Sequence, residues 1–243
     1  MSEQIQIKQD GRILRVTFNR PDDNGVSDRM AGALIQALNT AHETSDMVLI
    51  RSVGPDFCTG RVRGPDFPPA SSEAYTRRDE YDSIFGAYGA IRGCKVPVMT
   101  VLEGRVMGFG TAITALSDVS FASDKATFNI PEITHNVMPT MVMSAVCDRL
   151  NRNAILWMAY SADFIGAQQA LTYGLVSQVV PEDKLNSEVD RFCNLLLSRP
   201  RPAILGLKEY MRVAPRMDDQ GANDYARALH SMVNTSAAMK KPH

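Results

Sequence analysis

Three short stretches of the 243-residue chain carry residue types that could do chemistry together: Phe57-Cys58-Thr59-Gly60-Arg61, the glycine-bearing run Gly104 to Gly110, and Pro131-Glu132. Both glycine turns follow apolar runs of strand character, Met47 to Val53 and Val96 to Leu102. Glycine tolerates the backbone angles needed to end a strand with N–H groups aimed into a cleft. Two such turns facing one another would form an oxyanion hole, a pair of main-chain donors placed where negative charge develops on a carbonyl oxygen. Loss of one donor from such a hole costs on the order of 10²- to 10³-fold in rate. A glutamate beside the hole would add or remove a proton.

Placing those stretches calls for an alternating α/β chain. Ile5 and Ile7, then Ile13, Val16 and Phe18, alternate around Asp10-Gly11 as a hairpin does, and Arg20-Pro21-Asp22 breaks it. Ser27 suits the cap of a helix whose apolar positions Met30, Leu34, Ile35, Leu38 and Ala41 recur at three- and four-residue steps before the strand Met47 to Val53. Gly64 to Ser72 reads as a loop, Glu73 to Arg92 as a helix, and Cys94 to Pro97 as the entry to the strand ending at Leu102. A helix from Gly108 to Leu116 and short strands at Val119 to Ala122 and Ala126 to Ile130 follow. From Pro139 the pattern is mostly helical, with one strand at Val176 to Val180, and everything after Lys184 is all-α.

Composition narrows the partners. With 44% hydrophobic residues the chain can bury a substantial core, and at a net charge of −1 it has no Lys/Arg block dense enough to track phosphates, so nucleic acid is not expected as a partner. Cysteines 58, 94, 147 and 193 form no CxxC and no metal-ligand spacing with the four histidines, which points to reduced thiols in a cytoplasmic protein without a metal. Met1 to Gln9 is too polar for a signal peptide, and Val106 to Ser117 is too short and too glycine-rich to span a bilayer, so no membrane association is expected.

The order and spacing of a longer set of residues resemble the crotonase, or enoyl-CoA hydratase/isomerase, family over nearly the whole chain. The set comprises Asn19-Arg20-Pro21 with Asn24, Phe57 to Gly60, Pro97-Val98, Gly104 to Gly110, Asp118, Phe128, Pro131-Glu132, Ala167 to Ala170, Gly174 to Val176, Val179 to Pro181, and Lys208. The resemblance implies an α/β fold, a ClpP/crotonase-like spiral of strand-strand-helix repeats over residues 1–183. Residues 184–243 would then be a helical region for trimerisation, with homotrimers or homohexamers as the assembled state. The implied substrate is an acyl-CoA thioester, with coenzyme A as part of the substrate and no tightly bound cofactor.

Carried over position by position, the family's oxyanion donors fall on the backbone N–H groups of Arg61 and Phe109, beside Gly60 and Gly108, and its proton-transfer residue falls on Glu132. The Arg61 side chain would be either a solvated charge or a holder of phosphate or of a substrate carboxylate. Hydratases of the family also carry a glutamate where this chain has Ala112. A single carboxylate suits a double-bond isomerase, which shuttles one proton between carbons two and four, or a one-carboxylate hydration variant. The alternatives are a hydrolase of the same fold, cleaving a thioester or a β-diketone carbon–carbon bond, and a catalytically lapsed binding protein. Asp66 and Glu80 are candidates to replace the missing carboxylate, with solvated charge as the plainer reading of each. His135 and Thr140 lie near the implied pocket, while Arg63 would suit coenzyme A phosphates or an anionic free substrate. Lys208 stands where the family often has a lysine, a candidate contact for coenzyme A, and Glu103 reads as a structural pairing residue. The tail Ser236 to His243 lacks the family's usual final helix, which implies less cover for the adenine end of coenzyme A.

Overall fold

A computed structural model describes residues 4–62 and 73–240. Strands β1 (Ile5–Asp10) and β2 (Ile13–Phe18) form the expected antiparallel hairpin, in register from Ile5 opposite Phe18 to Asp10 opposite Ile13. Helix α1 (Asp28–Thr44) begins at Ser27, whose hydroxyl accepts the Met30 N–H at 3.3 Å and so satisfies one of the donors a helix start leaves open. Strand β3 (Met47–Ser52) then joins β2 in parallel. The helix expected from Glu73 instead starts as a 3-10 turn, Thr76–Tyr81, and becomes α-helical only in α2 (Asp82–Gly93). Residues 73–79 are all exposed, so no apolar face is buried there to hold a regular α-turn.

Strands β4 (Val98–Leu102) and β5 (Arg105–Met107) lead into α3 (Phe109–Leu116), and β6 (Val119–Ser123) and β7 (Thr127–Asn129) lead into α4 (Thr140–Val146). Next come α5 (Arg152–Ser161), β8 (Ile165–Gly166), α6 (Ala167–Thr172) and β9 (Gln178–Val180). The chain continues through α7 (Leu185–Leu197), α8 (Arg201–Val213) and α9 (Asp219–Asn234). The large sheet has the order β1-β2-β3-β4-β6-β9, and a smaller one runs β5-β7-β8. Val48 and Ile50 face a core shared with α1, α2 and α3, whereas Met47 and Leu49 face the opposite side, where α7 lays Leu185, Val189 and Cys193 on the sheet. Burial on both faces explains why these strands read as unbroken apolar runs rather than as alternating ones.

Successive turns of the chain add one strand to the large sheet and one short rung to a second layer. Val26 forms a parallel bridge with Arg61, Cys58 bridges Val106, and β5 pairs with β7 in parallel. The strand-strand-helix repeat is therefore a physical stack of rungs, each following a strand of the large sheet.

One buried amide ties the first two turns of the stack together. Asn24 is fully buried with φ +47°; its side-chain nitrogen donates to the carbonyls of Val53 at 2.6 Å and Asp56 at 2.7 Å, and its oxygen accepts the Arg20 N–H at 2.9 Å. Replacing Asn24 with alanine strands the buried Asp56 carbonyl and the half-buried Val53 carbonyl, and unmet buried acceptors cost about 1–3 kcal/mol each. Asn24→Ala is expected to lower unfolding free energy in urea by about 2–4 kcal/mol; an unshifted midpoint would remove this amide from the fold's supports.

Candidate active site

The two glycine-bearing turns run side by side and are zipped by main-chain hydrogen bonds. The Phe57 N–H donates to Glu103 at 2.9 Å, the Cys58 N–H to Arg105 at 3.2 Å, and the Met107 N–H to Cys58 at 2.8 Å. Asp56 reinforces the zip from its edge, accepting the Arg105 N–H at 2.8 Å and the Arg105 guanidinium at 2.7 and 3.1 Å. Those hydrogen bonds hold the Asp56 carboxyl below the usual carboxylate range, against the opposing effect of its burial. At Gly104, φ +60°, a Cβ would fall 1.8 Å from the Pro55 carbonyl oxygen, so only glycine lets the turns approach this closely.

The main-chain surroundings of Arg61 and Phe109 follow from this layout. In the parallel bridge, the Val26 N–H donates to Gly60 at 2.8 Å and the Val62 N–H donates to Val26 at 3.0 Å. The intervening Arg61 N–H is thereby turned to the other edge of its rung, the edge on which the rung of Val106 lies. Phe109 opens α3, where an N–H has no intrahelical acceptor, and it makes no hydrogen bond among the described residues. Gly108 marks the meeting point. With φ +50°, a Cβ there would stand 2.9 Å from Glu132 Oε1 and 3.7 Å from the Gly60 Cα. All three stretches singled out in the sequence converge on that spot.

Glu132 begins a 3-10 turn, Glu132–His135, directly after β7 and Pro131. Its Oε2 is buried with no hydrogen-bond partner among the described residues. Burial raises the carboxyl above the ordinary glutamate range, opposed in part by its own main-chain N–H and by His135. Tyr88 of α2, only 2% exposed, stacks on the Phe109 ring with centroids 5.5 Å apart and planes at 24°. Burial, followed by the Glu132 carboxylate, pushes its phenol well above the usual tyrosine range. Sequence reading missed Tyr88 because it sits in the helical stripe Ile84, Ala87, Tyr88, Ile91 and looks like any core residue. It missed Asp56 because its partner Arg105 lies on another turn of the chain.

Other expectations are revised. The Arg61 guanidinium is neither solvated nor presented to a ligand. It is 12% exposed and bonded to Asp28 at 2.9 Å and to the Glu80 carbonyl at 3.1 Å, with its central carbon 5.7 Å from the Tyr81 ring centroid. Glu80 is half-buried beside it rather than a solvated charge. Lys208 bonds to Asp118 at 2.5 Å and is 8% exposed. That pair sits just past the end of α3 opposite Phe109, about 12 Å away along the helix axis, so Lys208 clamps α8 onto the sheet and does not reach the meeting point. His135 and Thr140 are exposed. Glu103 pairs with Arg51 at 3.8 Å, and Ala112 is fully buried on α3. Arg63 and Asp66 lie outside the described residues. No group of three or more His, Cys, Asp or Glu able to hold a metal occurs among the described residues, and no helix among them is long and apolar enough to cross a membrane.

The family model for Enoyl-CoA hydratase/isomerase matches residues 8–242. Enoyl-CoA hydratase domain-containing protein 3, mitochondrial, of Rattus norvegicus is 27% identical over 212 residues, covering 86% of this chain and 70% of the rat protein. An enoyl-CoA hydratase of Mycobacterium smegmatis superposes with a TM-score of 0.90 at 22% identity, over 97% of this chain and 93% of that one. A Thermobifida fusca YX structure solved in complex with CoA superposes at 0.87 with 21% identity, over 98% and 95% of the two chains. The matched range takes in the rungs that bring Gly60, Gly108 and Glu132 together. This chain belongs to the enoyl-CoA hydratase/isomerase family, enzymes that act on CoA thioesters, and has the crotonase fold.

Proposed function

We propose that the enzyme binds an acyl-CoA thioester with its carbonyl oxygen between the N–H groups of Arg61 and Phe109, and that Glu132 moves one proton on the acyl group. The observation that carries this reading is the convergence at Gly108, where the Glu132 carboxylate comes within contact distance of the turn that separates the two donors. An ionised Glu132 takes a proton from carbon two of a 3-enoyl thioester. The electron pair left behind spreads onto the thioester oxygen, where the two N–H groups stabilise it. Returning the proton to carbon four moves the double bond without net gain or loss of atoms. A single-glutamate hydration, in which the same carboxylate activates water, uses the same geometry. Burial serves either task, since a desolvated carboxylate is a stronger base than one in water.

Coenzyme A enters as part of the substrate, a role supported by the CoA held in the Thermobifida fusca relative. Residues 184–243 serve assembly into a homotrimer or homohexamer; Leu207 and Met211 of α8 and Met232 of α9 are exposed and suit contact with another subunit. The four cysteines are free thiols, which suits a reducing compartment such as the cytoplasm.

Incubation with 2-enoyl-, 3-enoyl- and β-keto-thioesters, read by mass, separates the chemistries. Isomerisation leaves mass unchanged and hydration adds water. Release of free coenzyme A would transfer the reading to a hydrolase, and no turnover on any of them would leave a binding protein. Glu132→Gln is expected to lower kcat by roughly 10²- to 10⁴-fold while thioester affinity stays within a few-fold; an unchanged rate would take Glu132 out of the reaction.

The raised carboxyl also sets two pH dependences. Activity should fall on the acid side through a pKa above the ordinary glutamate range, as Glu132 takes up a proton. For stability the sign is reversed: a carboxyl whose pKa is higher folded than unfolded favours the native state at low pH, and that benefit is lost as pH rises through the folded value. Glu132→Gln should therefore melt above wild type at pH 8 and lose that advantage toward pH 5. An equal difference at both values would show that burial of this carboxylate is not what shifts it.

A further inference from the structure

A cleft of about 60 Å³ lies where the last turn of α2, the α4–α5 junction and α8 come together. Leu116, the last residue of α3, lines it, about 10 Å along the helix from Phe109. Five cations also line it, Arg92, Arg149, Lys208, Arg212 and Arg216, against one acid among the described residues, Asp118. Two of the five are engaged elsewhere: Lys208 holds Asp118, and Arg212 forks onto Glu209 at 2.7 and 3.0 Å. The other three share a single carboxylate. Asp148 lies 3.0 Å from Arg216, 3.5 Å from Arg92 and 3.9 Å from Arg149. Arginine stays protonated in proteins, so two positive charges are left in excess.

Helix capping accounts for only part of this charge. Arg92 Nη2 donates to the Ser144 carbonyl at 2.6 Å near the end of α4, where a cation suits the helix dipole. Its Nε, however, is buried with no hydrogen-bond partner among the described residues. Buried donors ordinarily find an acceptor. The Arg149 guanidinium makes no hydrogen bond among the described residues either, since its approach to Asp148 is too long to be one. Burial would raise the Asp148 carboxyl, but the hydrogen bond from Arg216 and the charges of Arg92 and Arg149 outweigh it and hold the group below the usual carboxylate range. Asp148 is therefore already ionised, and it has no further negative charge to give.

We propose that this cleft binds a phosphate group, held by Arg149, Arg216 and the Nε of Arg92, which bridges α2, the α4–α5 junction and the turn Ala214–Arg216 that follows α8. A phosphate dianion matches the excess of two charges, and its oxygens accept from planar guanidinium forks. The volume suits that group alone, being well below the roughly 300–1,000 Å³ of pockets that enclose whole organic ligands. The ligand is therefore the free ion or the end of a molecule whose remainder lies outside. Neither Glu132 nor the amides of Arg61 and Phe109 take part, so the site stands apart from the acyl-CoA reading.

The test is equilibrium dialysis against radiolabelled inorganic phosphate, with ionic strength held constant by sodium chloride. Wild type should take up one phosphate per chain, and the double variant Arg149→Gln, Arg216→Gln should bind it at least about 10-fold more weakly, with its melting temperature verifying the fold. Asp148→Asn removes the competing carboxylate and should tighten phosphate several-fold. This second variant decides the matter even if the double variant fails to fold, because unchanged or weaker binding in Asp148→Asn overturns the site. No saturable uptake by wild type, or equal uptake by the folded double variant, also overturns it. Displacement of the label by glycerol 3-phosphate marks the end phosphate of a larger molecule, and retention marks the free ion; both agree with a phosphate site. Displacement by coenzyme A would assign the cleft to the substrate and refute a separate site.

Discussion

Everything at the site depends on how closely two stretches of main chain can approach. The turn around Cys58 and the rung beginning at Arg105 are locked by three backbone hydrogen bonds and by the fork of Arg105 on Asp56. The approach is possible because Gly104 has no side chain to collide with Pro55. Once these turns are registered, the Arg61 and Phe109 amides need no further side chain to aim them. A parallel bridge turns one away from its neighbour, and a helix start leaves the other open. In the proposed thioester role, donors built from peptide groups in this way would be preorganised by the fold itself.

Two carboxylates near the site show how placement divides labour. Asp56 is surrounded by donors and is held low, so it acts as a permanent anion that fastens one turn to the next. Glu132 has a buried oxygen without a partner among the described residues and is driven upward by its burial, so it holds its proton more firmly than Asp56 does. Arg61 divides its parts in the same way. Its amide faces the neighbouring rung, and its guanidinium is occupied between α1 and α2 by Asp28, Glu80 and Tyr81.

Much of this frame was legible in residue types. The hairpin at Gly11, the Ser27 cap and the strand-to-glycine turns are local features, and local stereochemistry announces them. Strands β5 and β8, of three and two residues, are too short to show any period, and only pairing with distant rungs makes them strands. The 3-10 entry to α2 escaped notice because a polar run reports propensity and not the absence of a packing face. For Arg61, open in sequence between a solvated charge and a phosphate or carboxylate holder, and for Lys208, a candidate coenzyme A contact, a charge in sequence does not reveal its counter-ion; Asp28 and Asp118 supply those from other turns of the chain.

The stacking of rungs has a consequence for how the enzyme comes into being. Each parallel pairing among Val26, Arg61, Cys58, Val106 and β7 joins segments separated by tens of residues, and such contacts reward the chain only after its loop-closure entropy has been spent. Glu132 follows the last of these pairings and meets the amides only when the earlier ones are complete. On the role proposed for Glu132, catalytic competence would therefore be a late event in folding, and an N-terminal portion emerging during synthesis would lack the carboxylate.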